Sequence, residues 1–302
     1  MTDLVIRALT ERDAHLFNTL ADPGSALVGR AVMGIRYATY AEGGDYRPEW
    51  TYVALRDDKV VARAAWWGAP EDTEPVNINW LDIAEGELAA GIELLRTAPF
   101  DTEYELILPA AWKDEPATRA AAELRIAAAE AAGKRQLVER LRYTWTADLG
   151  LPERPGRLEF RGEDDDEVLL DVLRRIHSDT LDAHARRAIA EHDLDKAAQE
   201  DLDYFRWYPE AWPQLAYTPE GDLVGMHLPC RVPSGYAAGF IGVVPEQRGH
   251  GYAFDLLAEC THFLAERGVE RIVAATDEGN FPMAANFAKA GYPVTEKRID
   301  FV

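Results

Sequence analysis

The sequence has only two cysteines, Cys230 and Cys260, with no CxxC spacing, which excludes a disulfide framework and a thiolate zinc or dithiol redox centre. It has no apolar run approaching the roughly 18 residues that a bilayer-crossing helix needs, and its start, MTDLVIRALTERDAHLF, lacks a basic segment followed by an apolar one. Neither membrane insertion nor secretion is expected, and a reducing, cytoplasmic setting is. Positive charge is also scarce, with 32 lysines and arginines against 53 aspartates and glutamates for a net charge of −21. Such a field repels nucleic acid and anionic membrane, so a phosphate-bearing ligand must be captured by a local device. A small cationic or amine-bearing molecule suits these surroundings better. The acidic run Glu163 to Glu167 reads as a solvated loop or helix start with no function of its own.

What the sequence does have is apolar material for two cores, 302 residues at 47% hydrophobic. Two pairs of stretches echo each other. TYVALRDDKVVARAAWW (Thr51 to Trp67) and QLAYTPEGDLVGMHLP (Gln214 to Pro229) both alternate around a polar turn, with Val61 and Val224 as counterparts. GKRQLVERLRYTW (Gly133 to Trp145) and GYPVTEKRIDFV (Gly291 to Val302) both follow a helical pattern with a glycine stop and then a strand. The fold class is therefore expected to be α+β, as two tandem copies of one unit, each a mixed, mostly antiparallel sheet flanked by helices. The copies are expected to span 1–150 and 157–302, joined where prolines and glycines interrupt both periodicities in ADLGLPERPGR, Ala147 to Arg157.

The stretch GVVPEQRGHGYAFDLL, Gly242 to Leu257, runs an apolar strand into a glycine turn and then an apolar helical pattern. Glycines at 249 and 251 permit positive φ and close approach of a ligand, while the N–H groups at the helix start favour phosphate oxygens. It lacks the GxxxxGK[ST] and GxGxxG patterns of nucleotide-binding loops. The pattern VxPxxRGxGxA in this stretch resembles the acyl-CoA pyrophosphate loop of the Gcn5-related N-acetyltransferases (GNAT). ATDEGNFPMAANFAKAGY, Ala274 to Tyr292, resembles a later strand-to-helix segment of the same family. The resemblance implies an acyl-CoA co-substrate, acetyl-CoA or another acyl-CoA, and no metal. It implies that pantetheine lies between two splayed strands on the backbone of Gly242, Val243 and Val244. The pyrophosphate is then held by Arg248, Gly249, His250, Gly251, Tyr252 and Ala253, largely through main-chain N–H groups. Asn280 is implied at the pantetheine arm and Phe287 near the thioester. Where many family members carry a tyrosine to protonate the leaving thiolate, this sequence has Phe287, which cannot donate that proton.

Acyl transfer to an amine requires the neutral amine, hence a base or a water path to solvent. His177, Asp179, His184, Glu191, His192 and Asp193 fall in the helical region on the acceptor side, and Asp277 and Glu278 end the strand beside the expected thioester. No feature ranks them, and GYAAGFIGVV holds no carboxylate. His227 and both cysteines read as core residues. The aromatic run DYFRWYPEAW, Asp203 to Trp212, fits either a pocket wall or a seam between the two halves. In the first half, VNINWLDI is followed by AEGELAAGIELL, with acidic residues where phosphates would lie, which reads as a degenerate copy similar in arrangement to tandem acetyltransferases. The expected function is N-acylation of a primary amine on a small molecule by direct attack. The alternatives are an acyl-CoA-binding protein without catalysis, or a transferase fed by a carrier protein or aminoacyl-tRNA.

Overall fold

The computed structural model describes residues 3–20, 27–29, 36–208, 210–232 and 234–302. The chain divides into two compact units, Met1–Glu139 with Glu296–Val302, and Arg140–Thr295. The first contains strands β1 (Leu4–Ala8), β2 (Thr51–Arg56), β3 (Lys59–Trp67), β4 (Asn77–Ile83) and β5 (Glu103–Pro109), and helices α1 (Leu88–Thr97) and α2 (Pro116–Ala131). The hairpin between β2 and β3 turns on Asp57 and Asp58, both at positive φ (50° and 58°), a two-residue turn whose twist matches its strands. Neighbouring strands run antiparallel except β4 and β5, which pair in parallel at Asn77 with Glu103 and Ile78 with Tyr104.

The second unit opens with the larger part of β6 (Gln136–Thr146), then β7 (Glu159–Gly162) and helices α3 (Asp166–His177), α4 (Ala183–Glu191) and α5 (Leu194–Trp207). Strands β8 (Gln214–Tyr217), β9 (Leu223–Val232) and β10 (Gly235–Val243) follow, then α6 (Tyr252–Ala265), β11 (Arg271–Asp277) and α7 (Phe281–Lys289). The sheet order is β6-β11-β10-β9-β8-β7, again with one parallel pair, β10 with β11. Asp165, Asp182 and Asp193 cap α3, α4 and α5 by accepting N–H bonds from Glu167, Ala185 and Lys196. The acidic run is thus a helix start: Asp165 is the cap and Asp166 and Glu167 fill the first turn, where the helix dipole favours negative charge.

The units do not part at residues 147–157. The last strand of the chain, β12 (Val294–Phe301), pairs with β5 in the first unit from Glu296 onward. The β6 residues from Arg140 to Thr146 pair with β11 in the second. Packing explains the exchange, because Ile299 and Phe301 are buried with Leu106 and Leu108, whereas Tyr143 and Trp145 are buried with Phe287 and Tyr292. None of the described helices is long and apolar enough to cross a membrane.

Candidate functional site

Strands β10 and β11 stay in register for only two residue pairs, Tyr236 with Ile272 and Ala237 with Val273. Directly beyond, the register of β10 against β9 shifts between Ala238 and Phe240, a bulge at Gly239 that bends the strand away from β11. Glycine is required there, since a Cβ at 239 would lie 2.5 Å from Cys230 Sγ. Past the bulge, the Val244 N–H donates to the Val224 carbonyl at 2.9 Å. Ladder alternation then turns the peptide groups of Gly242 and Phe240 toward β9 and those of Ile241 and Val243 toward the diverging β11. On β11 the Ala147 N–H donates to Glu270 O at 2.9 Å, so the same alternation leaves the peptide groups of Ala275 and Asp277 facing β10. No described segment lies between these two edges. The expected trio of Gly242, Val243 and Val244 is corrected accordingly: Val243 faces the gap, Gly242 and Val244 bond to β9, and Ile241 joins Val243. Gly242 matters for packing, because a Cβ there would come within 2.7 Å of Ile176 at the end of α3.

The gap leads to the glycine turn. Gly249 and Gly251 hold φ of 83° and 79°, and Gly251 precedes α6 without a side-chain cap. The N–H groups of Tyr252 and Ala253 therefore begin the helix without intrahelical acceptors, beside its positive dipole end. Arg248 is committed elsewhere. Its Nε donates to Val243 O at 3.1 Å, Nη2 to Ile176 O at 2.9 Å and Nη1 to the Asp179 carboxylate at 2.8 Å, so it ties the turn to the end of α3. The His250 ring stacks on Tyr252 with centroids 5.5 Å apart. A second arginine, read from the sequence only as the end of the joining segment, stands at the turn. Arg157 donates to both oxygens of the buried Asp255 at 3.0 and 2.5 Å and to His250 O at 3.1 Å, and its guanidinium lies 4.9 Å from the Tyr252 ring centre. Nothing local could have paired Arg157 with a residue 98 positions away.

Asn280 caps α7, its side-chain oxygen accepting from the Met283 N–H at 3.2 Å. Phe287 is 2% exposed and stacks on Tyr143 at 4.2 Å. Its ring is a core element, and burial pushes the Tyr143 hydroxyl up to about 12.

On the face covered by α3 to α5, several titratable groups converge at the end of β11. The Asp277 carboxyl, on a residue 4% exposed, accepts the Ala183 N–H at 2.7 Å and lies 3.1 Å from Arg140 Nε. Arg140 also reaches Asp182 at 3.6 Å. His177 Nε2 is 2.7 Å from Asp201 Oδ2, while its Nδ1 is buried with no hydrogen-bond partner among the described residues. Burial pushes Asp277 and Asp201 above the usual carboxylate range; in Asp182 burial is outweighed by Arg140 and the Ala185 N–H, which bring it below that range. Of the other candidates, Asp179 is taken by Arg248 and Glu191 pairs with Arg187. Asp193 caps α5, and His192 is exposed. Glu278 is half-buried just beyond β11. Asp201 was missed, since a lone aspartate on an amphipathic helix carries no signal. His227, Cys230 and Cys260 are core residues; burial pushes His227 down to about 3 and Cys230 up to about 12. The aromatic run splits: Phe205 is buried against Phe240, Trp212 packs on Phe263, and Tyr204 and Trp207 are exposed. Pro209, within that run, lies outside the described residues.

The first unit has the same divergence between β4 and β5, with a different outcome. Gly29 exchanges two backbone bonds with Ile107 of β5, at 3.0 and 2.9 Å. On the facing strand, Arg125 of α2 donates from Nε to Leu81 O at 2.7 Å and from Nη2 to Asp82 Oδ1 at 2.5 Å. Asp82 also accepts from Arg63 and Trp80, and Arg63, Asp82 and Arg125 are all buried. Both edges are occupied by the chain itself.

The model of the acetyltransferase (GNAT) family matches residues 177–292. Among solved structures, a GCN5-related N-acetyltransferase from Sphaerobacter thermophilus is 17% identical, with a TM-score of 0.57 over 99% of this chain and 94% of its own. A tandem GNAT protein from the clavulanic acid biosynthesis pathway is 17% identical, with a TM-score of 0.53 over 99% of this chain and 98% of its own. A glucosamine N-acetyltransferase region in a fungal multi-domain β-N-acetylglucosaminidase is 12% identical, with a TM-score of 0.54 over 100% of this chain and 38% of its own. No curated protein matches the sequence. These likenesses give the fold, tandem and α+β, and place the family match on the unit that holds the open gap.

Proposed function

We propose that this chain is a tandem GNAT-type enzyme, a reading supported by the match of residues 177–292 to the acetyltransferase (GNAT) family model and by its fold, and that its second unit binds acetyl-CoA or another acyl-CoA and transfers the acyl group directly to a primary amine of a small molecule. One observation carries the reading: the peptide groups of Ile241 face the gap between β10 and β11, and the same strand leads through the turn at Pro245–Gln247 to the uncapped helix-start N–H groups of Tyr252 and Ala253, with Arg248 on the Val243 carbonyl between them. Such a track offers pantetheine amides a strand to pair with and the pyrophosphate a positive helix end. Arg157 adds a guanidinium 47% exposed on its side chain beside that turn, a local cation in a chain of net charge −21. A backbone N–H facing the gap near Val243 polarises the thioester carbonyl, the preorganised donor that acyl transfer requires.

A binder without catalysis is the second reading, favoured by Phe287, which places a core ring where a proton donor would stand. Calorimetric titration of acetyl-CoA into the wild type and Gly251→Trp, followed by thiol release against a panel of amines, separates the two. Micromolar binding lost in the variant and amine-dependent thiol release are expected. Binding without release under any amine means the binder, and no binding in the wild type overturns both.

A further inference from the structure

The irregular stretch from Gly150 to Arg157 is strapped to one side of α6. Trp145 anchors its start, the indole N–H donating to Gly150 O at 2.8 Å. His262 Nε2 donates to Pro152 O at 2.8 Å, and Arg154 reaches Glu259 at 2.8 and 3.1 Å and Glu266 at 2.9 Å. Arg157 ends the run on both oxygens of Asp255, at 3.0 and 2.5 Å. Positions 255, 259, 262 and 266 recur at the spacing of a single helix face, so the strap carries Arg157 to the start of α6.

The ion pairs along the strap differ in weight. Arg154 and Glu266 are 40% and 56% exposed, and pairs so open to solvent hold little. Asp255 is 3% exposed and stands in the first turn of α6. A buried carboxylate there opposes an anionic ligand at the helix start unless a cation covers it, and Arg157 is that cation. Arg248 cannot share the task, since its three nitrogens are bonded to Val243 O, Ile176 O and Asp179.

Arg157 has donors to spare. A guanidinium carries five N–H groups. Asp255 takes those of Nε and one on Nη2, and His250 O takes one on Nη1, which leaves one on each Nη. The guanidinium lies 4.9 Å from the Tyr252 ring centre, and its Nη2 is the atom nearest to where a Cβ on Gly251 would stand, at 3.8 Å. A planar fork held by a bidentate carboxylate and an aromatic ring is preorganised to grip phosphate oxygens, and the side chain is 47% exposed to receive them.

We propose that Arg157 binds a phosphate of the acyl donor and sets the site's preference for a polyphosphorylated donor, with Asp255 as its positioning residue. This rests on the acyl-CoA reading above. The recognised chemistry is a pair of non-bridging phosphate oxygens, which acyl-CoA offers both on its pyrophosphate and on its 3′-phosphate. A carrier-protein arm, with a single phosphodiester, satisfies the same fork poorly.

The test varies phosphate and arginine together. Calorimetry titrates acetyl-CoA, acetyl-dephospho-CoA and S-acetylpantetheine, which has no phosphate, into the wild type, Arg157→Gln and the double variant Arg157→Gln with Asp255→Asn, with a melting curve for each protein. The double variant leaves no carboxylate stranded, should the single one fail to fold. Acetyl-CoA binding is expected to weaken about tenfold or more in both variants, the scale of a charge-assisted hydrogen bond, while S-acetylpantetheine binds all three proteins alike. Added salt is expected to weaken acetyl-CoA binding less in the variants than in the wild type, because one screened ion contact is gone. Arg157→Lys, which keeps the charge without the fork, is expected to recover part of the affinity. An equal factor lost for acetyl-CoA and acetyl-dephospho-CoA assigns the contact to the pyrophosphate, and a loss confined to acetyl-CoA assigns it to the 3′-phosphate. Wild-type affinity for acetyl-CoA in Arg157→Gln overturns the role of Arg157 and leaves the donor reading standing. An equal loss for S-acetylpantetheine overturns it too, since Arg157 would then only support the fold. A wild type that binds none of the three thioesters overturns the donor reading itself.

Discussion

The two units diverge at the same place, between a bulged central strand and its parallel neighbour, and resolve it oppositely. In the first, Gly29 pairs with Ile107 and Arg125 takes the Leu81 carbonyl, so the two strand edges are satisfied by the protein and their residues are buried. In the second, Ile241 and Ala275 keep their peptide groups toward a gap that no described segment enters, and Ala275 is exposed. Ligand capacity therefore depends on which backbone groups are left without partners, and the shared topology does not settle it. The turns that follow differ in the same sense. Gly249 and Gly251 lead to bare helix N–H groups, whereas α1 is preceded by Glu87, whose carboxylate is held by Arg56 at 2.9 Å and repels phosphate.

The sharpest way to break the comparison is to remove the arginine that closes the first gap. Arg125→Met strands the Leu81 carbonyl and leaves Asp82, 0% exposed, with one fewer cation. Losing one partner of a buried ion pair costs about 3–5 kcal/mol. The expected outcome in chemical denaturation is an early transition of the first unit, with acetyl-CoA still binding at one site per chain in both proteins. A second site in the variant would mean that Arg125 excludes a ligand as well as stabilising the unit.

A smaller difference lies beneath the gap strands. Leu81 faces Ala64 across its ladder, whereas Ile241 faces His227, fully buried with neither ring nitrogen hydrogen-bonded among the described residues. Burial pushes His227 down to about 3. The unfolded chain then takes up its proton near pH 6.5 while the folded one refuses it, so stability is lost as pH falls from 6.5 toward 3, by about 1.4 kcal/mol per unit. Asp201 and Asp277, both raised by burial, act in the opposite sense, and the comparison that isolates the histidine is wild type against His227→Leu. The leucine variant is expected to lose the histidine's share of the acid slope, at most about 2 kcal/mol by pH 5. Identical slopes would show that His227 is protonated in the fold.

The strand and helix order of the second unit could be read from periodicity and glycine spacing, and so could the turn at Gly249 and Gly251, because one φ requirement there admits few other residues. The partners of the closing strands could not. The stretches at Gln136 and Val294 alternate alike, and only the cores they meet, Phe287 and Tyr292 or Leu106 and Leu108, distinguish them. Alternation could have excluded Gly242 and Val244 from the gap had the β9 pairing been known. Arg125, Arg157 and Asp201 act through partners remote in sequence, and on an isolated helix or loop each looks like an ordinary solvated charge.

The finest difference is in the exchange of single amides. The Ile107 N–H is bonded to Gly29 O at 2.9 Å and shielded by the first core, whereas the Ile241 and Ala275 N–H groups face the open gap. Hydrogen exchange depends on opening free energy, and about 1.4 kcal/mol of protection slows it tenfold. Ile107 is expected to exchange with the global unfolding of its unit, whatever ligand is present. Ile241 and Ala275 are expected to exchange faster than the neighbouring Gly242 and Ala274, which bond within the sheet, and to slow about tenfold on adding acetyl-CoA, as an added strand would make them. If acetyl-CoA instead protected Ile107, the first gap would open in solution and the comparison would fail. If it protected only the residues of the glycine turn, the pyrophosphate end would be bound while pantetheine lay outside the strands.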